Sequence, residues 1–356
     1  MRRKWVAAIS VLAIALSILS GCGGAKETKK EEPKTTAPAA PEPKKETPFK
    51  VAMSSDVGGL NDNSFNAAAY RGLQRAEKDL KAEIKAVESK RQEDYETNFQ
   101  SLADLKNDLI WGIGFLMTDA VDKMSKKSPN QKYAIIDSVV PNPNVASVVF
   151  KEEEGSFLMG VLAAKTTKSK KVGFVGGMDV DVIHHFEAGF KAGVKAVDPK
   201  IEVITIYAAS FVDAAKGKEV ALTMIGKGAD VIFHASGGTG DGVIAAAAEK
   251  KVFAIGVDSD QKKLAPDWVI SSMMKRVDNA VFDISKQTKE GNFPGGKTMV
   301  MGLKENGVGY SDTTAWDKMP ADTKALVDKW ADAIKAGKVN VPNDMKKFEG
   351  WEVPKI

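Results

Sequence analysis

The stretch "DVGGLNDNSFN", residues 56–66, sets two carboxylates, three amides and one phenylalanine directly behind the short apolar run "VAM" at Val51 to Met53. These types can grip a polar ligand. Carboxylates and amides exchange hydrogen bonds with hydroxyls and ring heteroatoms, and a phenyl ring offers a flat apolar face. Similar stretches follow other apolar runs. Asp137 opens "DSVVPNPN", Phe211 lies in "AASFVDAAKGKE", Asp258 opens "DSDQ", and "SGGTGDG" follows "VIFHA". Any one of them is also what a turn or a helix cap needs. Their joint recurrence behind strands is what suggests a site.

The elements that would carry these residues follow from the apolar pattern. Runs such as "VAM" (51–53), "LIWGIG" (109–114), "YAIID" (133–137), "VASVVF" (145–150), "KVGFVGG" (171–177), "IEVITIY" (201–207), "DVIFHAS" (230–236), "FAIGVD" (253–258) and "WVISSMM" (268–274) are continuous rather than alternating. Such runs suit strands covered on both faces. Between them lie helical periodicities; in "HHFEAGFKAGVKAV", Phe186, Phe190, Val194 and Val197 share a face. Alternating strands and helices predict α/β architecture with parallel sheets, and the count fits two sheets better than one. Ligands of such sheets bind at the carboxyl ends of the strands, where the polar stretches lie.

The first residues bear on location. Arg2, Arg3 and Lys4 precede an apolar run from Trp5 to Leu19, the layout of a secretory leader, and the leader ends in Leu19-Ser20-Gly21-Cys22. Small residues before a cysteine resemble a bacterial lipobox, so Cys22 is expected to be acylated after cleavage behind residue 21. Cys22 is the single cysteine, which excludes intrachain disulfides and CxxC chemistry. Residues 22–48 are rich in Lys, Glu, Pro and Thr and are expected to form a disordered linker from anchor to body. With 51 basic and 47 acidic residues there is no charge excess of the kind nucleic acid requires.

At the polar loops the sequence resembles the basic membrane protein (PnrA-like) family, lipoproteins that bind purine nucleosides for ABC importers. The resemblance rests on "GGLNDNSFNAAAYRGL" (58–73), "EGSFLMGVLAA" (154–164), "FEAGFKAGV" (186–194), "SFVDAAKGKEVA" (210–221), "GADVIFHASGGTGDGV" (228–243), "AIGVDSDQ" (254–261) and "SSMMKRVDNAV" (271–281), in that order along the chain. It implies a two-lobed type I periplasmic binding protein fold, with residues 49–150 plus 261–291 in one lobe and 151–260 plus 292–356 in the other. It also implies ligand contacts from Asp56, Phe65, Asn66, Asp137, Phe211, Gly237, Asp258 and Lys275. The function implied is capture of a nucleoside, with a purine favoured, by a monomer held on the outer face of the membrane. Permease and ATPase chains are the expected partners, and no cofactor or metal is expected. Phe65 and Phe211, each behind a strand and before a helix, are expected to sandwich the base. Trp111, His184 and His185 depart from the family pattern and bear on which base fits. A nucleoside hydrolase using the same cleft, and a sensor or adhesin lipoprotein, are the alternatives.

Two other motifs carry less. "GNFPGGKT" (291–298) matches a P-loop letter for letter, but a helical pattern precedes it and a strand pattern follows, the reverse of what phosphate cradling needs. It is read as a Gly/Pro-rich connection between lobes. "SGGTGDG" is better suited to close backbone approach than to a dinucleotide.

Overall fold

The computed structural model describes residues 47–356. The leader, Cys22 and nearly all of the linker lie outside them. Two six-stranded sheets form two lobes. The first contains β1 (Lys50–Ser55), β2 (Glu83–Val87), β3 (Leu109–Ile113), β4 (Tyr133–Ile136), β5 (Val145–Phe150) and β11 (Thr298–Met301), ordered β11-β5-β4-β3-β1-β2. The second contains β6 (Lys171–Gly176), β7 (Glu202–Tyr207), β8 (Val231–Ala235), β9 (Phe253–Asp258), β10 (Val269–Lys275) and β12 (Val308–Tyr310), ordered β12-β10-β9-β8-β6-β7. All pairings are parallel except β10 with β12. The orders match strand for strand, so β1 corresponds to β6 and β4 to β9.

The helices between them are α1 (Phe65–Leu80), α2 (Tyr95–Asp104), α3 (Thr118–Lys127), α4 (Glu152–Thr166), α5 (Asp181–Val197), α6 (Ala214–Gly226), α7 (Thr239–Lys250), α8 (Val277–Lys289), α9 (Thr323–Lys335) and α10 (Met345–Glu349). Helix α4 is buried almost all round and packs on α5. Glycines bring these two backbones together: a Cβ at Gly160 would lie 2.2 Å from the carbonyl oxygen of Phe190, and one at Gly193 2.0 Å from that of Phe157. Even an alanine would force this pair apart, losing the contacts of a close-packed interior.

Strand pairing corrects the expected lobe boundaries. Strand β10 pairs with β9, so 261–275 belongs to the second lobe, and only α8, packed on α1, returns to the first. Strand β11 pairs with β5, so part of 292–356 lies in the first lobe. The "GNFPGGKT" stretch therefore runs within one lobe, from α8 to β11, and does not connect the two. The chain crosses between lobes three times, at 150–152, 275–277 and 301–308. The crossings are tied together: Lys151 N donates to Met301 O (3.1 Å), Arg276 N to Gly307 O (2.8 Å) and Leu303 N to Glu154 Oε2 (2.7 Å).

Candidate functional site

The loop behind β1 is organised by a residue that sequence reasoning passed over. Asp62 accepts from Ser64 N (2.9 Å) and Ala67 N (3.0 Å) through Oδ1, and from Asn66 N (2.8 Å) through Oδ2. One carboxylate thus satisfies three amides at the start of α1, where no intrahelical acceptor exists. The spacing of Asp62 before the helical run was the available signal. It leaves Phe65 as the first helical residue and Asn66 as the second, both turned toward the gap between the lobes.

All eight expected residues, Asp56, Phe65, Asn66, Asp137, Phe211, Gly237, Asp258 and Lys275, line one cavity there. About 570 Å³ of space, part of it open to solvent, lies between them. Sequence reasoning missed Phe115, Phe186 and Ile183, which also line it. Phe115 meets Phe211 edge-on at 6.3 Å between ring centroids. Phe65 and Phe211 are not topological counterparts: Phe65 follows β1, whereas Phe211 follows β7, and the counterpart of α1 is α5, whose Ile183 lines the cavity. Trp111 is fully buried in β3 with Nε1 donating to Ser285 Oγ, away from the cavity. His184 and His185 lie near the start of α5 and are turned to Asp179 and Glu152 respectively. Neither lines the cavity, because each is held by a carboxylate on another side.

Asp137 and Asp258, at the ends of the corresponding strands β4 and β9, both have positive φ, 64° and 62°. Aspartate is among the few side chains that tolerate this region, and such backbone strain gathers at functional positions. Gly237 has φ 54°, and a Cβ there would meet Phe211 O at 3.1 Å; any side chain would be strained and would intrude where the backbone faces the cavity.

Lys275 joins the two lobes electrostatically. It ends β10, is 2% exposed, and its Nζ lies 2.6 Å from Asp137 Oδ2 and 2.8 Å from Glu152 Oε1. Burial alone would push its ammonium down, but Asp137, Glu152 and Asp258 outweigh that and hold it above an ordinary lysine. The ammonium also lies 5.2 Å from the centroid of Phe65 and 5.6 Å from that of Phe186. Burial likewise raises the Glu152 carboxyl, but Lys275 and His185 outweigh it and hold the group low. Glu152, Glu153 and His185 bring three potential metal-ligand atoms within 4.8 Å. The cation already present there is Lys275. Further contacts close the lobes around the cavity: Ser64 Oγ donates to Asp258 Oδ2, Asn63 Nδ2 to Asp241 Oδ2 (2.9 Å), and Arg71 Nη2 to Ser259 Oγ (2.7 Å).

Burial pushes Asp56 up to about 6, against hydrogen bonds from Asn66 and Gly58, and pushes Asp258 up to about 7, against the pull of Lys275. Glu153, behind the cavity, rises to about 7 by burial and the neighbouring Glu152. These groups bind protons more tightly folded than unfolded. Their contribution is present in full at acid pH and is lost as pH rises through about 6–7. His185 is held up by Glu152 against burial and acts in the same direction. Burial pushes His234 down to about 4, which acts the other way but is outweighed by these four groups, so the ligand-free protein should melt at least about 2 °C higher at pH 5.5 than at pH 7.5; an equal or lower value at pH 5.5, measured by calorimetry, contradicts the assignment.

Comparison with known proteins agrees with this architecture. Residues 49–342 match the family described as ABC transporter substrate-binding protein PnrA-like. The chain is 37% identical over 364 residues to the ABC transporter nucleoside-binding protein BmpA of Lactococcus lactis, covering 96% of this chain and 99% of that one. It is 39% identical to the CD4+ T-cell-stimulating antigen of Listeria innocua over the same shares of the two chains. Among solved structures, an ABC transporter solute-binding protein from Aeropyrum pernix superposes with a TM-score of 0.79 at 29% identity, covering 85% of this chain and 96% of that one. Two parallel-sheet lobes around one cavity are the fold of type I periplasmic binding proteins, and the chain belongs to the PnrA-like family of ABC transporter substrate-binding proteins.

Proposed function

We propose that this protein captures a nucleoside, a purine nucleoside by preference, between its lobes and delivers it to a membrane permease, while Cys22 anchors it by lipid to the outer face of the cell membrane. The observation that carries the reading is the cavity itself. Four phenylalanines, Phe65, Phe115, Phe186 and Phe211, surround a space edged by Asp56, Asn66, Asp137, Asp258 and Lys275. Rings suit the faces of a base, and carboxylates suit the paired hydroxyls of a ribose. Five side chains of that lining and its rim, counting Asp62, are hydrogen-bond acceptors with carboxylate or amide oxygens, and the one ammonium is already shared by Asp137 and Glu152. A phosphate would therefore meet net negative charge, which favours nucleosides over nucleotides.

The nucleoside-binding relative from Lactococcus lactis supports the ligand class, and its membership of an ABC system supports the permease and ATPase as partners. Among the described residues no helix is long and apolar enough to cross a membrane, so transport would fall to those partner chains. Closure excludes water and strengthens each polar contact at the moment of capture.

Titration calorimetry against nucleosides, free bases, ribose and nucleoside monophosphates tests the reading. At least one purine nucleoside should bind, with the free base, ribose and monophosphate each weaker by about ten-fold or more, as expected when buried polar groups lose their partners. Ribose or a free base binding more tightly than every nucleoside would overturn it.

A further inference from the structure

Ser259, one residue beyond the cavity carboxylate Asp258, makes both of its side-chain hydrogen bonds to the other lobe. Its Oγ donates to Ser64 O (2.9 Å) and accepts from Arg71 Nη2 (2.7 Å), and the residue is 5% exposed. Ser64 and Arg71 stand just before and within α1 of the first lobe, whereas Ser259 follows β9 of the second. The backbone turns at Asp258, φ 62°, and neighbouring side chains serve different ends: Asp258 lines the cavity and Ser259 meets the opposite lobe.

Gln261, two residues on, reaches the same loop. Its Oε1 accepts from Val257 N (2.9 Å), which fixes the amide and leaves Nε2 to donate to Asn63 O (3.3 Å). Oε1 also lies 2.9 Å from His234 Nε2, so that nitrogen carries the hydrogen. Gln261 and His234 are both fully buried, and Gln261 N donates to Ser272 Oγ (3.1 Å). The side chain that reaches across is thus held in place by β8, β9 and β10 behind it. The second lobe presents two fixed donors, Ser259 Oγ and Gln261 Nε2, to the consecutive carbonyls of Asn63 and Ser64. Arg71, Ser259 and Gln261 are not among the described residues that line the cavity. Parting the lobes breaks all three bonds, since each joins segments of different lobes, and a bond of this kind is worth about two- to ten-fold in an equilibrium.

Resting on the nucleoside reading above, we propose that Arg71, Ser259 and Gln261 form a clasp that sets how long a captured nucleoside stays in the cavity, acting as positioning residues that never touch it. Release requires the lobes to part, so the clasp governs the rate of release. Lobes open to an entering ligand have not yet formed it, so association is left alone. A clasp that joins protein to protein cannot tell one base from another. It therefore scales every nucleoside by the same factor, and selectivity stays with the cavity.

Release is read by chasing a tritiated nucleoside with excess unlabelled nucleoside, affinity by calorimetry, and association from the ratio of the two. Arg71 is exposed, so its truncation leaves the core intact and keeps the test independent of folding. Relative to the parent, Ser259→Ala should release about ten-fold faster and Arg71→Ala about three-fold faster, with association within about two-fold. The double variant should release no faster than Ser259→Ala, because the Arg71 bond ends on the hydroxyl already removed. The same factors should hold for each of guanosine, inosine and adenosine that binds the parent. Unchanged release in both single variants, effects that multiply in the double variant, or factors that differ between nucleosides by more than about three-fold overturn the clasp and leave the nucleoside reading standing. Failure of all three nucleosides to bind the parent overturns both.

Discussion

Lys275→Met should lower the stability of the ligand-free protein by about 3–5 kcal/mol, the usual cost of removing one partner from a buried ion pair. The substitution keeps most of the side chain's volume and removes the charge together with its three N–H donors. Asp137 and Glu152, 7% and 2% exposed at their side chains, would then face each other without the ammonium between them, and among the described residues only Glu152 would keep another partner, His185 at 3.1 Å. In denaturant the midpoint should fall while the slope stays unchanged. Nucleoside affinity should fall as well, by about ten-fold or more, since an unsatisfied polar contact in the closed cavity costs about 1–3 kcal/mol. The double variant Lys275→Met with Asp137→Asn separates the two effects. Replacing one orphaned carboxylate by an amide should recover a clear part of the lost stability and none of the affinity. A melting temperature for Lys275→Met within about 2 °C of the parent would show that the buried triad carries no net load.

Phe65→Ala and Phe211→Ala should each weaken nucleoside binding by about ten-fold or more, from the lost apolar contact together with about 1 kcal/mol of ring-specific attraction. Both rings are half-buried and line the cavity, one on the first turn of α1 and the other in the loop behind β7. Phe211 rests edge-on against Phe115, so Phe115→Ala should show a smaller loss in the same direction. The melting temperature of the ligand-free protein separates this role from a packing role. Both rings also pack against the edge of the core, so each variant should lower it modestly, by about 2–4 °C, alongside the loss of binding. If both variants lose several degrees and bind nucleosides as the parent does, the rings are packing elements and the base lies elsewhere.

Much of this protein was legible in its sequence because the signals are local. Continuous apolar runs of a few residues give strands covered on both faces, and Phe186, Phe190 and Val194 at helical spacing give α5. Polar stretches behind those runs lie at the carboxyl ends of strands, which is where an α/β sheet opens to a ligand, and the family resemblance then singled out Asp56, Asn66, Asp137, Asp258 and Lys275 before any contact was known.

What the tertiary structure alone decided are the pairings between distant segments. The sequence shows β10 as a strand but not which sheet it joins, since a strand's neighbour is chosen by packing on both faces and not by its own residues; hence 261–275 moved to the second lobe and β11 to the first. The partner of Lys275 in the first lobe, Asp137, is 138 residues away. Its second partner, Glu152, stands among three consecutive glutamates at the start of α4 that read as an ordinary acidic first turn. Trp111, conspicuous beside its glycines, proved to be core, because the face of β3 on which it falls is set by the register with β1 and β4. Burial makes the same distinction for the carboxylates: identical aspartates in sequence become acceptors with raised protonation only where the folded lobes remove them from water.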